Sequence, residues 1–373
     1  MIGEIEGELK EDIENINFFL KNSQNEYSIK LENKELSLIR NSKNKLNIKN
    51  KQLTNKQKEM KTLNVLLLFV FFSLGLNAQK FTIPVFPDPQ SEVDERMDMF
   101  ESQVDWIVKN REKLNMPIVL CVGDLANFDN YTHWDKASQQ FEKFDKIRLP
   151  YALTLGNHDT EAVGEYDGSA APGNTNQNLR KTFKFNSYFP TSRFIAQRGR
   201  FEPGKSDNAY YTFKTGNTYW LVLTLEFCPR QGAINWANDV VKAFHEYNVI
   251  VLTHYHLSGK GEIVQNNAGY GDFSPQFVFD RFLKLHPNIR FVISGHVMKT
   301  AFRVDEGVHH NKIYQILQNY QNEDNGGGYL RLLNFDLNKG TVVAELYSPF
   351  YNKYKEPETK YTIEGLELVK PKL

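Results

Sequence analysis

The feature that most constrains the fold of this chain is a series of short, continuous apolar runs that alternate with amphipathic segments from Lys80 onward. Runs without polar alternation are typical of strands that are covered on both faces. The segments at 93–108 and 134–147 carry apolar residues at helical spacing, and the chain shows no fixed-period repeat. The pattern therefore predicts one α/β domain. The predicted strands are residues 81–86, 117–122, 151–155, 209–214, 219–227, 249–253, 290–294, 329–335 and 341–346.

Charge and cysteine content exclude several classes of function. The 373 residues include 45 Lys plus Arg and 45 Asp plus Glu, so no overall basic field is present to hold nucleic acid or an anionic membrane. Two cysteines, Cys121 and Cys228, are too few for a disulfide scaffold or a thiolate zinc cluster. Any bound metal must therefore be held by His, Asn and carboxylate side chains.

The first 78 residues differ in character from the rest. Residues 1–59 are hydrophilic with segregated charge, so we expect a disordered or weakly helical extension, which could lie upstream of a true start at Met60. Residues 60–78 have a basic start, an apolar run and a small residue at the end, which is the pattern of a signal peptide. We expect Sec-type export to the periplasm or the cell exterior, no stable membrane anchor, and a mature domain at 79–373.

Polar residues of the types that bind metals follow five predicted strands directly. They stand just beyond the carboxyl ends of the strands, where open α/β sheets place their sites. One such motif alone is a weak signal, whereas five in order are a strong one. The motifs are Asp88-Pro89-Gln90, Gly123-Asp124, Gly156-Asn157-His158-Asp159, Thr253-His254-Tyr255-His256 and Gly295-His296-Val297-Met298.

In this order the motifs resemble those of the calcineurin-like metallophosphoesterases, and the resemblance covers roughly residues 81–349. FPDPQ, LEFCPR at 225–230 and GHVM are most similar to an exported bacterial subgroup with Asp-x-Gln in its first motif. That subgroup is related to the calcineurin-like serine/threonine protein phosphatases. The resemblance implies an α/β fold, namely a four-layer sandwich of two mixed β-sheets flanked by helices.

The resemblance also implies phosphate-ester hydrolysis at two divalent cations. Two such ions can hold a hydroxide nucleophile and clamp the phosphoryl oxygens during in-line attack. Asp124 would bridge both ions. The other implied ligands are Asp88 and Gln90 for the first metal, and Asn157, His254 and His296 for the second.

The implied proton donor is His158, held by Asp159, since an imidazole titrates near neutral pH. Two positions depart from the family's pattern, which has His where this chain has Gln90 and Met298. Both departures fall on the first metal: a glutamine carbonyl is a neutral oxygen ligand, and a thioether is too soft for Mn²⁺, Mg²⁺ or Zn²⁺. We therefore expect one tight and one weak site, with Mn, Fe or Zn in the tight one.

Four further side chains are candidates for the site. Glu226 ends a predicted strand and is either a ligand or a structural carboxylate. His256 either touches substrate or is a hydrogen-bonded loop histidine, and His309 and His310 lie in a later polar loop.

Two classes of function remain open. The leading interpretation is an exported metallophosphoesterase that acts on phosphate monoesters or diesters. The alternative is a binding protein that has kept the phosphatase scaffold and lost catalysis along with its first-metal ligands. Nucleic-acid processing is less favoured because the composition provides no basic groove. Neither the substrate nor the oligomeric state follows from the sequence.

Overall fold

A computed structural model of the chain forms two compact units, residues 1–67 and 68–373, which we describe separately. The described residues are 27–32, 35–40, 79–164, 170–322, 326–355 and 359–370.

In the first unit, strands β1 (Tyr27–Glu32) and β2 (Glu35–Arg40) pair in antiparallel orientation. This hairpin departs from the disordered or weakly helical extension that we expect for this region. Apolar residues alternate with polar ones in both strands, at Ile29 and Leu31 and again at Leu36, and this period of two favours a strand. The division of the chain at 59 and 78 stays a prediction, and the expected signal peptide at 60–78 lies outside the described residues.

The second unit contains two mixed sheets, each with seven strands in the described part of the chain. The first sheet consists of β3 (Lys80–Phe86), β4 (Val119–Cys121), β5 (Tyr151–Leu153), β13 (Leu330–Asp336), β14 (Thr341–Ser348), β15 (Lys353–Tyr354) and β16 (Tyr361–Ile363). Their order is β15-β14-β13-β3-β4-β5, with β16 also paired to β14. Strands β3, β4 and β5 are parallel, whereas β13 runs antiparallel to β3.

The second sheet has the order β11-β12-β10-β9-β8-β7-β6. Its strands are β6 (Gln197–Arg200), β7 (Ala209–Thr215), β8 (Thr218–Leu225), β9 (Asn248–Thr253), β10 (Ile289–Ser294), β11 (Thr300–Glu306) and β12 (Lys312–Gln318). Strands β8, β9, β10 and β12 are parallel. All nine predicted strands are present. Strand β12 is not among the predictions, because two glutamines, Gln315 and Gln318, interrupt its apolar run.

Seven α-helices lie in the described part of the second unit. They are α1 (Gln90–Glu95), α2 (Met97–Asn110), α3 (Tyr131–Lys146), α4 (Pro172–Asn178), α5 (Phe183–Tyr188), α6 (Gln231–Ala243) and α7 (Pro275–Arg281), with 3₁₀ turns at Thr191–Arg193 and Leu283–Leu285. The side chain of Asn130 caps α3 by accepting from the backbone amide of His133. Among the described residues, no helix is both long and apolar enough to cross a membrane.

The two sheets pack face to face through aromatic side chains. The rings of Phe81 in β3 and Trp220 in β8 have centroids 5.8 Å apart. On the other side of the first sheet, Phe100 of α2 packs 5.3 Å from Phe86. Apolar residues of α6 and α7 share a buried cluster with β8, β9 and β10 on the second sheet. The order helix, sheet, sheet, helix confirms the predicted sandwich of two mixed sheets flanked by helices.

Candidate metal centre

The parallel strands of both sheets end at one site. Asp88, Asp124 and Asn157 follow β3, β4 and β5, while His254 and His296 follow β9 and β10. Asp124, His254 and His296 each offer one ligand atom, and these atoms lie within 4.8 Å of one another. The fold therefore brings together side chains that are far apart in the chain.

Four side chains make close contacts with one another. We call this group the second half-site; it consists of Asp124, Asn157, His254 and His296. His254 Nε2 lies 3.1 Å from Asp124 Oδ2 and 3.2 Å from Asn157 Oδ1. His296 Nδ1 lies 3.0 Å from the same Asn157 oxygen. The Asn157 amide nitrogen donates to the carbonyl of Ala170 at 3.2 Å, which turns its oxygen toward the two imidazoles. Two nitrogens and two oxygens thus converge.

Neighbouring groups fix the orientation of the histidine rings. His254 Nδ1 lies 2.7 Å from the Val122 carbonyl and donates to it, so Nε2 is left as the ligand atom. The ring of Phe227 packs 5.6 Å from each of His254 and His296, and Tyr255 packs 4.7 Å from His296. These aromatic residues are absent from the sequence-based predictions, because no metal-ligand motif contains Phe227 and Tyr255 lies between two more conspicuous histidines.

Asp88 and Gln90, together with the shared Asp124, form what we call the first half-site. Asp88 Oδ2 accepts from the backbone amide of His296 at 2.7 Å and from the side-chain amide of Asn319. Asp88 Oδ1 and Gln90 Oε1 are buried and have no hydrogen-bond partner among the described residues. Buried polar atoms are rarely left unpaired, so these two oxygens indicate a missing partner.

Two motif glycines allow the acidic side chains to approach the backbone. A Cβ atom on Gly156 would lie 2.0 Å from Asp124 Oδ1, and one on Gly295 would lie 2.0 Å from Asp88 Oδ1. Asp124 and His296 have φ values of 52° and 67°, in the left-handed region that non-glycine residues seldom adopt. Backbone strain of this kind concentrates at functional sites.

The site is crowded with negative charge. Burial raises the pKa of Asp88, and the charge of Asp124 adds to this effect against the opposing charge of His254. Burial also acts to raise the pKa of Asp124, but the charges of His254 and His158 outweigh it and hold that pKa below its usual value. Burial lowers the pKa of His296, assisted by the charge of His254, so its ring is neutral and able to bind a metal.

His158 and Asp159 are placed differently from the expectation. The backbone amide of His158 donates to Asp124 Oδ1 at 2.9 Å, and its ring Nδ1 lies 2.9 Å from the carbonyl of Asn127. Asp159 instead accepts from the backbone amides of Leu125, Ala126 and Gly156. The expected contact from Asp159 to the His158 ring is therefore replaced by a carbonyl. The carboxylate ties two site loops together instead.

The further candidates for the site have other partners. Glu226 is buried and accepts from Asn208 at 2.9 Å and from Arg230 at 3.0 and 3.1 Å, which makes it a structural carboxylate. His256 is buried with Nε2 2.5 Å from Gln315, which matches a hydrogen-bonded loop histidine. Burial lowers the pKa of His256 to about 4.

His309 and His310 are exposed in the connection between β11 and β12. That connection leads into the start of β12, whereas the site lies beside the end of β12. The two histidines are therefore at the opposite end of the strands from the site. Met298 is also partly exposed, with 46% of its surface accessible. Burial raises the pKa of the Cys228 thiol to about 12, which leaves it a poor nucleophile.

The donor set suits divalent cations. Imidazole nitrogens mixed with carboxylate and amide oxygens are ligands for Mn, Fe and Zn. A cation would also offset the charge of the buried carboxylates. Asp88 Oδ1 and Gln90 Oε1, which accept no hydrogen bond from the described residues, are oxygens of the type that bind such ions. The residues that could hold it are the six predicted from the motifs, namely Asp88, Gln90, Asp124, Asn157, His254 and His296.

Comparison with known proteins identifies the family. The model of the calcineurin-like phosphoesterase family matches residues 82–299, more than half of the chain, so the chain belongs to this family. The matched range contains all six candidate ligands and His158. Membership of the exported Asp-x-Gln subgroup stays a prediction.

A curated relative, the uncharacterized protein YvnB of Bacillus subtilis (strain 168), is 28% identical over 280 residues, which are 72% of this chain and 20% of YvnB. The chain thus spans about a fifth of the length of that relative.

Among solved structures, it is similar to purple acid phosphatase PPD1 from yellow lupin (Lupinus luteus) seeds, with 14% identity, a TM-score of 0.47 and coverage of 76% of this chain and 54% of that one. A dimetal phosphatase from Danio rerio is 12% identical with a TM-score of 0.47, covering 76% of this chain and 98% of that one. Structural similarities at this level support no further argument.

Two site residues were missed by reasoning from the sequence. Asn319 and Gln321 follow β12 and contact Asp88 and Gln90. The available signal was the apolar run that precedes Asn319, since β12 is parallel to β10 and ends at the same edge.

Proposed function

We propose that this protein hydrolyses phosphate monoesters or diesters at an asymmetric pair of divalent cations. The observation that carries the proposal is the meeting of Asp124, Asn157, His254 and His296 at one sheet edge. The family to which the chain belongs supports metal-dependent phosphoester hydrolysis in general. The dinuclear arrangement and the class of ester are our own inference.

Each ligand has a separate role in this proposal. Asp124 is the proposed shared ligand, as the family resemblance implies; its Oδ2 faces His254 and its Oδ1 accepts from the His158 amide. Asn157, His254 and His296 complete the second half-site, and Asp88 and Gln90 the first. Bound cations would supply Lewis acidity, lower the pKa of water and offset the phosphoryl charge. Phe227, which packs beside both histidines, is buried, and Tyr255 beside His296 is half-buried.

His158 is the proposed proton donor to the leaving oxygen. Its Nδ1 lies beside the Asn127 carbonyl, which can only accept, so this nitrogen carries a proton and Nε2 is left to gain or lose one. Asp159 supports this role indirectly by accepting from the backbone amide of Gly156, the first residue of the same motif, and from that of Leu125. We treat Asp159 as a positioning residue.

The two half-sites should differ in affinity. The second provides two imidazoles, and the first provides oxygen donors alone, so we propose one tight ion of Mn, Fe or Zn and one weaker ion. A binding protein without turnover is the second candidate function. The observation that favours it is the presence of Gln90 and Met298 where the family has histidine ligands.

Hydrolysis of two aryl esters tests the proposal. The purified protein is stripped with a chelator, reloaded with Mn²⁺ and assayed with p-nitrophenyl phosphate and bis-p-nitrophenyl phosphate. We expect metal-dependent release of nitrophenolate from at least one ester. Tight metal binding without turnover of either ester, with Mn²⁺, Fe²⁺ or Zn²⁺, would instead identify a binding protein.

We also propose export, on the strength of the signal-like segment at 60–78. The exported form should begin near Gln79. Sequencing the amino terminus of protein recovered from outside the cytoplasm tests this proposal. A mature chain that retains residues 1–59 would contradict it.

A further inference from the structure

The segment directly after β12 lies against the first half-site. Asn319 is 2% exposed, and its Nδ2 donates to Asp88 Oδ2. Gln321 donates from Nε2 to the backbone carbonyl of Asp88 at 3.3 Å and accepts on Oε1 from Gln90 Nε2 at 3.2 Å. Neither residue belongs to any of the five motifs. Asn319 contacts the side chain of Asp88, and Gln321 contacts the side chain of Gln90.

Backbone groups determine the orientation of the side-chain amides. The backbone amide of Gln321 can only donate, and it lies 3.0 Å from Asn319 Oδ1, so Asn319 must turn its NH₂ group toward Asp88. The backbone carbonyl of Asp88 can only accept, so Gln321 turns its NH₂ group to that carbonyl and its oxygen to Gln90. Gln90 must then present NH₂ to Gln321 and direct its own oxygen elsewhere.

This network leaves two oxygens, Asp88 Oδ1 and Gln90 Oε1, without a hydrogen bond from the described residues. Asp88 receives its hydrogen bonds from His296 and Asn319 on Oδ2. Its Oδ1 accepts no hydrogen bond from the described residues and lies 3.8 Å from His254 Nδ1. Gln90 is 7% exposed and Asp88 4% exposed, and Gln90 Oε1 also lacks a partner among the described residues. Because an amide binds a metal through its oxygen, the opposite orientation of Gln90 would remove it from the ligand set.

We infer that Asn319 and Gln321 are positioning residues that make the first half-site an all-oxygen cation site. Carboxylate and carbonyl oxygens suit Mg²⁺ and Mn²⁺, whereas imidazole favours Zn²⁺. The affinity for Zn²⁺ relative to Mn²⁺ is therefore lower at the first half-site than at the second. This inference rests on the proposed function only in assuming that the first half-site holds a cation.

Calorimetric metal titrations test the inference without an activity assay. The full chain is stripped of metal and titrated with Mn²⁺ and with Zn²⁺, and electron paramagnetic resonance follows Mn²⁺ at each step. In a Gln321→Leu variant we expect the weaker affinity to fall by roughly 10- to 100-fold while the tighter affinity is unchanged. A Gln321→Glu variant keeps the acceptor for Gln90 Nε2 and should retain the weaker affinity.

The matched control is Tyr320→Phe, in the same segment. The Tyr320 hydroxyl accepts from Arg331 rather than contacting Asp88 or Gln90, so this variant should leave both affinities unchanged. The inference would be overturned if the affinity for Zn²⁺ relative to Mn²⁺ were the same at the two half-sites. A Gln321→Leu variant that loses thermal stability yet keeps its weaker affinity would also overturn it. If the titrations gave the expected result but no ester were hydrolysed, the proposed function would be refuted and this inference would stand.

Discussion

The two halves of the proposed metal centre, which would share Asp124, offer different donor atoms. In the second half-site, imidazole nitrogens are fixed by hydrogen bonds, such as that from His254 Nδ1 to Val122. In the first half-site, the distinguishing donors are oxygens of Asp88 and Gln90, which accept no hydrogen bond from the described residues. If both half-sites hold a cation, as we propose, this difference in donor atoms predicts unequal metal affinity along one sheet edge.

The largest effect should follow from removing an imidazole of the second half-site. A His254→Ala variant leaves Asp124 and Asn157 without their common neighbour, so we expect loss of the tight metal and a fall in ester hydrolysis of roughly 10³-fold or more. Metal content by mass spectrometry and initial rates measure the two effects. His256→Ala is the matched control, since His256 is equally buried but contacts Gln315. Retention of the tight metal by His254→Ala would break the comparison.

A loss of turnover without loss of metal is expected for His158, which we propose acts on the substrate rather than on a metal. His158→Ala should keep both metals and lose turnover by roughly 10²- to 10⁴-fold if general acid catalysis is its whole contribution. The loss should be greatest for alkyl phosphates, because a nitrophenolate departs without a proton. Rates plotted against leaving-group pKa measure this directly. Parallel slopes for the native protein and the variant would remove His158 from the proton-donor role.

The sequence predicts the strand ends well and the contacts between them less well. Continuous apolar runs locate β3, β9 and β10 because both faces of those strands are buried. The partner of the His158 ring is harder to foresee, because a backbone carbonyl such as that of Asn127 has no sequence signature.

The second half-site is anticipated more completely than the surroundings of the first. Its four ligands all stand in motifs, and the fold brings them together. Asn319 and Gln321 follow β12, a strand whose apolar pattern is interrupted by glutamines. Their role depends on the orientation of amides that are more than 200 residues apart in the chain. Polar contacts between residues so far apart in the chain produce no local sequence pattern from which they could be predicted.

Restoring an imidazole to the first half-site should narrow the difference between the halves. A Gln90→His variant replaces a neutral oxygen with the family's nitrogen donor, and we expect the weaker Zn²⁺ affinity to rise by roughly 10- to 100-fold. Calorimetric titration of the stripped protein measures this change. Met298→Leu serves as the control, because a thioether is not an expected ligand and its removal should leave both affinities unchanged. If Gln90→His left the Zn²⁺ affinities as far apart as before, donor chemistry would not explain the asymmetry.

The buried carboxylates behind the two halves also differ, and this gives the smallest predicted effect. Behind the second half-site, Asp159 accepts from three backbone amides. Behind the first, Glu92 accepts on Oε1 from the Gly328 amide at 3.0 Å and from Gln103 at 3.2 Å, and its Oε2 is buried without a partner among the described residues. Burial raises the pKa of Glu92 from 4.5 to about 8.

The raised pKa of Glu92 makes stability depend on pH in a definite direction. The folded state keeps a proton that the unfolded state releases between pH 4.5 and about 8, so the contribution of Glu92 to stability is fully present at low pH and is lost as pH rises through that range.

A Glu92→Gln variant keeps an oxygen acceptor and cannot ionise. At pH 8 we expect its free energy of unfolding to exceed that of the native protein, with little gain at pH 4.5, because the native carboxyl is then protonated in the folded state. Denaturant unfolding of the metal-free proteins at both pH values measures this difference. Glu101→Gln, which removes an exposed carboxylate paired with Lys143, controls for the loss of charge. An equal gain at both pH values would show that packing, and not the proton on Glu92, causes the effect.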